Sequence, residues 1–266
     1  MGNLVKKLLQ LIGLYKPLLN YKRKLNQQEA EKLEKTYHSK RLLFYKEFLK
    51  PGELIFDVGA NVGNRVKVFI ELQNKVVAIE PQQECINILK KKFGSEIDIE
   101  QVGLGKEVGE MEMFIADEST ISTFSREFID KTKDNKFKRN NWDQKIIVPI
   151  TTLDHLISKY GVPHFCKIDV EGFESEVLKG LSKPISSISF EYNVPEMFEN
   201  VLNCLSHLYK LSPEYKFNYC IGESMTFVFP QHNSYKQFFS HVNTDEFQKT
   251  DFGDVYAFKK GKDLSD

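Results

Sequence analysis

The sequence has no surplus of charge in either direction: Lys and Arg number 37, Asp and Glu number 37, and the formal net charge is zero. Proteins that grip polyanions are ordinarily basic, so no nucleic-acid partner is expected. Cysteine is scarce, at 4 residues in 266. Cys85, Cys166, Cys204 and Cys220 lie far apart, three of them in apolar stretches, and they read as reduced core residues, neither a disulfide frame nor a zinc site. Also missing is any apolar run long enough to span a bilayer. The stretch from Met1 to Leu19 comes nearest, yet Lys6, Lys7 and Lys16 interrupt it and no small-residue cleavage site follows. Gly2 does not signal myristoylation, because Lys6 stands where Ser or Thr is needed. A cytoplasmic protein is expected, its N-terminal helix covering the main domain, making a dimer contact or lying peripherally on a membrane.

What is present suffices for a full core, with 41% hydrophobic and 12% aromatic residues. The organising stretch is Leu54 to Gly63, where the apolar run Leu54, Ile55, Phe56, Val58 contains Asp57 and breaks into Gly59, Ala60, Asn61 and Gly63. A strand covered on both faces has that composition. The glycines permit a tight turn and close approach of a bulky ligand, and the amides opening the next helix favour an electron-rich group. A second strand, Lys75 to Ile79, ends in Glu80 and Pro81, with Glu80 placed 21 residues after Gly59. An acid at that position can accept both hydroxyls of a ribose. NAD would use the same geometry. The spacing here is Gly-x-x-x-Gly, without the triple-glycine cradle for a pyrophosphate, and Asp57 beside the turn suits an ammonium group instead. S-adenosylmethionine, with its ribose and its amino acid, matches better than a dinucleotide.

Further along, Ile97 to Val102 alternates like a strand, and Gly103, Leu104 and Gly105 form a tip whose backbone could meet an adenine edge. Strands are expected at Gly109 to Ala116 and Lys145 to Ile150, with an irregular polar insertion, Asp117 to Gln144, between them. That insertion carries Ser119 to Thr123 and the basic residues Lys131, Lys133, Lys136, Lys138 and Arg139; it reads as a solvated loop or as a lid able to grip an acidic substrate. Thr151 or Thr152 should cap a helix. The strand His164 to Asp169 then places Lys167 and Asp169 on one face and runs into Val170, Glu171 and Gly172. Strand Ile185 to Tyr192 ends comparably, with Glu191 and Asn193 sharing a face. Helix Val201 to Leu208 and strands Lys216 to Ile221, Met225 to Phe229 and Val255 to Phe258 complete an antiparallel end of the sheet.

In this order, Asp57-Val-Gly-Ala-Asn-Val-Gly63, Ala78-Ile-Glu-Pro81, Thr152-Leu-Asp154 and Lys167-Ile-Asp-Val-Glu-Gly172 resemble the FkbM family of S-adenosylmethionine-dependent methyltransferases. The resemblance runs from Pro51 to the C-terminus. It implies an α/β, Rossmann-like class I methyltransferase fold over 51–266: a seven-stranded, mostly parallel sheet with helices on both faces and an antiparallel last strand. Residues 1–50 form a helical extension without counterpart. It also implies O-methylation of a hydroxyl on a sugar, glycan or natural product. Asn64 and Arg65 depart from the small or hydroxyl residues usual there, which bears on the methionine pocket.

Methyl transfer from sulfonium to oxygen is an in-line displacement needing collinear atoms and removal of the acceptor proton. Asp169 is the first candidate for base or metal ligand, Lys167 for stabilising a developing alkoxide, and Glu171 is next in line. Asp169, Glu191 and Asn193 form an oxygen set suited to Mg2+. The competing readings are a nucleotide- or NAD-binding enzyme of related fold, and a non-catalytic partner-binding protein that has kept the fold.

Overall fold

A computed structural model describes residues 32–259. The chain divides into two compact units between Arg41 and Leu42. The described residues of the first, 32–41, are helical, and the expected helix before Leu19 lies outside the described residues. All that follows concerns the second unit.

Its main sheet follows from apolar segments that end in glycine or acid. Strand β1 (Leu54–Val58) pairs in parallel with β2 (Lys75–Ile79) on one side and with β7 (Phe165–Ile168) on the other. Beyond β2 lies the short β3 (Asp98–Glu100); beyond β7 lies the parallel β8 (Ser187–Asn193). The last strand, β11 (Phe252–Lys259), inserts antiparallel between β8 and β9 (Tyr215–Ile221). A two-residue β10 (Asn233–Ser234) closes that edge, so the order is β10-β9-β11-β8-β7-β1-β2-β3. The seven-stranded sheet that the resemblance implies is therefore present, with one short strand added.

Both faces are covered, which explains why β1 is apolar throughout except at Asp57. Phe56, Val58, Ile79, Ile168 and Phe190 pack with Leu156, Val177 and Val201 from the helices on one side. On the other, Ile55, Ala78, Phe165 and Tyr256 meet Val66 and Phe69 of helix Asn64–Glu71 and Leu89 of helix Gln83–Phe93. Among the described residues no helix is long and apolar enough to cross a membrane.

A second, three-stranded sheet stands beside the first: β4 (Gly103–Leu104), β6 (Gln144–Thr151) and β5 (Gly109–Ile115), in the order β4-β6-β5. Two expectations need correction. The insertion between β5 and β6 is not irregular throughout, since Arg126–Thr132 is a helix capped by Ser125, which accepts the amide of Phe128. It forms because Phe128, Ile129 and Thr132 share a buried side. The expected strand Met225 to Phe229 is absent. There the Asn218 side chain accepts from the Phe229 amide at 3.1 Å and donates to the Phe229 carbonyl at 2.8 Å, replacing a strand partner.

Candidate active site

The loop after β1 is built against two neighbouring strand ends. The amides of Gly59 and Ala60 both donate to the Ile79 carbonyl, at 3.0 and 3.1 Å, laying the loop across the tip of β2. Gly59 has φ +80°, and a Cβ there would lie 1.8 Å from the Asp169 carbonyl oxygen, so only glycine lets the exits of β1 and β7 touch. Asn61, at φ 46°, turns the chain and accepts the Val62 amide on its own side chain at 2.8 Å.

Glu80 fastens this loop to the second strand. Its Oε2 accepts the Asn61 amide at 2.9 Å, and its Oε1 accepts the Gln82 amide at 2.8 Å. Burial pushes its pKa up, against those amide bonds. From above, Ser119 completes the frame: its hydroxyl accepts from Asn61 Nδ2 and its carbonyl from Gln82 Nε2, each at 3.1 Å. The insertion thus roofs the loop.

Beneath that roof lies an open cleft. Gly59, Asn61, Glu80 and Pro81 line one part of it, Gly103 and Leu104 another, and Asp169 and Glu171 the end nearest β7. The structure thus brings together six of the nine expected cofactor residues and two of the three expected catalytic residues. Asp57, Ala60 and Gly63 do not line it. Gly63 instead packs at φ +83° against Phe93 and Leu89, and Asp57 is 1% exposed beneath the loop. Sequence reasoning missed Gln82, Ser119, Thr120, Ser122, Phe124, Met113 and Phe173, which also line the cleft. Only the hydroxyl-rich run Ser119 to Thr123 gave a signal.

Lys167 does not line the cleft and is 2% exposed. Its Nζ donates to Asp169 Oδ2 at 2.7 Å, while the Asp169 side chain remains 32% exposed. Against the penalty of burial, Asp169, then Asp57 and Asp254, hold this ammonium above its ordinary pKa. Thr123 anchors the following loop by donating to the Glu171 carbonyl at 2.7 Å. Glu174 holds the same loop from below, accepting the amides of Val170 and Gly172 at 3.1 Å each.

The acidic end differs from the expected metal set. Asp169, Glu171 and Glu191 bring carboxylate oxygens within 4.8 Å of one another. Asn193 instead donates its Nδ2 to Glu191 Oε2 at 3.2 Å. Loss of hydration, then the charge of Asp169, pushes both Glu171 and Glu191 well up. The basic residues of the insertion lie outside the cleft. Lys131 pairs with Glu127 and Lys136 with Asp251.

The methyltransferase FkbM domain model matches residues 57–243, from the acid of β1 to the helix Tyr235–Val242. The chain belongs to the FkbM methyltransferase family. It is an S-adenosylmethionine-dependent methyltransferase. The FkbM-family chain gives no match among curated proteins. Solved structures similar to it include a TehB-like SAM-dependent methyltransferase from Corynebacterium glutamicum, at 8% identity and TM-score 0.44, covering 88% of this chain and 97% of that one. Another is precorrin-6y C5,15-methyltransferase from Geobacter metallireducens, at 9% identity and TM-score 0.42, with 86% and 89% covered. A third is Aeropyrum pernix fibrillarin with bound S-adenosyl-L-methionine, at 9% identity and TM-score 0.40, with 78% and 67% covered. At such values they say nothing about this chain's acceptor.

Proposed function

We propose that this FkbM-family protein is an O-methyltransferase acting on a hydroxyl of a sugar, glycan or natural product. The observation that carries this reading is the position of Asp169. It shares one cleft with Gly59 and Glu80 and is held from behind by Lys167. In this reading Glu80, already fixed by two amides, turns its remaining lone pairs to the ribose hydroxyls. Gly59 and Asn61 border the methionine portion, and Pro81, Gly103 and Leu104 flank the adenine.

The acceptor oxygen attacks the methyl carbon, the carbon–sulfur bond breaks, and its electron pair returns to sulfur to leave S-adenosylhomocysteine. The hydroxyl proton passes to Asp169, whose orientation is set by Lys167. Glu171 lies beside the entering acceptor. Magnesium has no part in this proposal, because the Lys167 ammonium already engages Asp169 and Asn193 turns its amide nitrogen toward Glu191.

The test is transfer of a labelled methyl group from S-adenosylmethionine to a panel of monosaccharides, oligosaccharides, nucleotide sugars and alcohol-bearing natural products, with amines as a control arm. Labelled methyl ethers support the reading; label found only on nitrogen or carbon overturns it. Tighter binding of NAD than of S-adenosylhomocysteine would favour the rival dinucleotide reading.

A further inference from the structure

We propose that Asp57 is a positioning residue, holding the Lys167 ammonium against Asp169 from beneath the donor loop. The inference rests on Asp169 being the base.

Its ground is the register of two adjacent parallel strands. Asp57 of β1 lies opposite Lys167 of β7, and the preceding pair on that face is Ile55 opposite Phe165. Those two belong to the aromatic core on that side. Asp57 and Lys167 are therefore two opposite charges at the upper limit of an apolar layer, 1% and 2% exposed. Asp57 has no hydrogen-bond partner on either oxygen. A buried carboxylate that accepts no hydrogen bond from the protein is stabilised by a cation close by. Four charged groups face the lysine: Asp57 from β1, Asp169 from the end of its own strand, Asp254 from β11, and Arg65 from the helix after the donor loop. Arg65 pairs with Glu223 through Nη2, at 2.9 and 3.0 Å, and reaches to 4.0 Å from Asp254. Lys167, opposite Asp57 in the strand register, is the cation whose charge acts on it.

An ammonium has three protons to give, and Asp169 takes one of them at 2.7 Å. Asp57 supplies a second negative wall behind it. With both in place, the ammonium sits in the field of two acids while its hydrogen bond goes to Asp169, and the base is presented to the cleft in one orientation. The alternative, that Asp57 receives the ammonium of the donor, conflicts with its place: Gly59 and Asn61 border the cleft and Asp57 lies under them.

The experiment uses the full chain with 13C- and 15N-labelled lysine. The Lys167 Cε resonance, assigned by its loss in Lys167→Met, should shift in Asp57→Asn. S-adenosylhomocysteine affinity should stay within about threefold, while turnover on the acceptor found by the panel falls by about tenfold or more. Adding Asp57→Asn to Lys167→Met should bring little further loss of turnover. An unmoved lysine resonance overturns the proposal. So does a large loss of S-adenosylhomocysteine affinity with methylthioadenosine binding unchanged, since that ligand lacks the amino acid. If Asp57→Asn does not fold, a Lys167 Hε to Asp57 Hβ cross-relaxation in the unaltered protein supports the proposal, and its absence overturns it. Failure of the base assignment is distinguishable: Asp169→Asn would then turn over normally while the Asp57-dependent lysine shift persisted.

Discussion

Glu80 accepts the backbone N–H of Asn61 at 2.9 Å, so the acid ending the second strand and the loop leaving the first form one hydrogen-bonded unit. Replacing Glu80 by Ala removes the proposed ribose acceptor and also frees the Asn61 and Gln82 amides. S-adenosylhomocysteine affinity, measured by calorimetry, should fall by about tenfold to a hundredfold. Unchanged affinity would displace Glu80 from the donor site.

Asp169→Asn keeps the shape of the side chain and removes its capacity to take a proton. Turnover should drop by about a hundredfold or more while donor affinity holds, a loss confined to kcat. Methyl-transfer assays at saturating donor give the answer directly.

Gly59→Ala would put a methyl group 1.8 Å from the Asp169 carbonyl oxygen at φ +80°. Neither partner is the far end of a flexible side chain, so backbone must shift. A loss of more than about 3 kcal/mol in urea unfolding is expected, together with loss of donor binding.

Burial lifts Glu174 from 4.5 to about 7, and Asp57 and Asp254 from 3.8 to about 6. Each therefore binds its proton more tightly in the folded chain than in the unfolded one. Folding takes up protons in the window from about 4 to 7, so these groups stabilise the fold most at the acid end and progressively less as pH rises. Urea midpoints measured from pH 5 to 8 should show that contribution, and Glu174→Gln should flatten it.

Lys167 occupies Asp169, so methyl transfer should survive exhaustive chelation with EDTA and gain nothing from added Mg2+. An activity that vanishes with chelator and returns with Mg2+ would instead assign Asp169, Glu171 and Glu191 as ligands.

The part of the cleft next to β1 and β2 was legible in the sequence because its residues are local. An apolar strand, an acid and a glycine turn follow one another within Leu54 to Gly63, and Glu80 ends the next strand in the same way. Ser119 and Gln82 were not legible as cleft residues, since their contact joins segments 37 apart in the chain and no periodicity encodes such a closure. The helix Arg126–Thr132 could have been read from Ser125 followed by Phe128, Ile129 and Thr132, but the surrounding lysines obscured it. The failed strand at Met225 to Phe229 has the opposite cause: its apolar composition was real, and one asparagine side chain took the place of a strand partner. Asp57 shows the limit of spacing arguments. Its position beside the turn was correct, and its burial under the turn depended on which face of β1 the core occupied.

The two hydrogen bonds by which Ser119 holds Asn61 and Gln82 bear on the timing of the catalytic cycle. If the donor sits beneath them, as proposed, its exchange for the next nucleoside passes the segment between β5 and the helix at Arg126, and weakening the clasp should quicken turnover wherever departure of S-adenosylhomocysteine is the slow event.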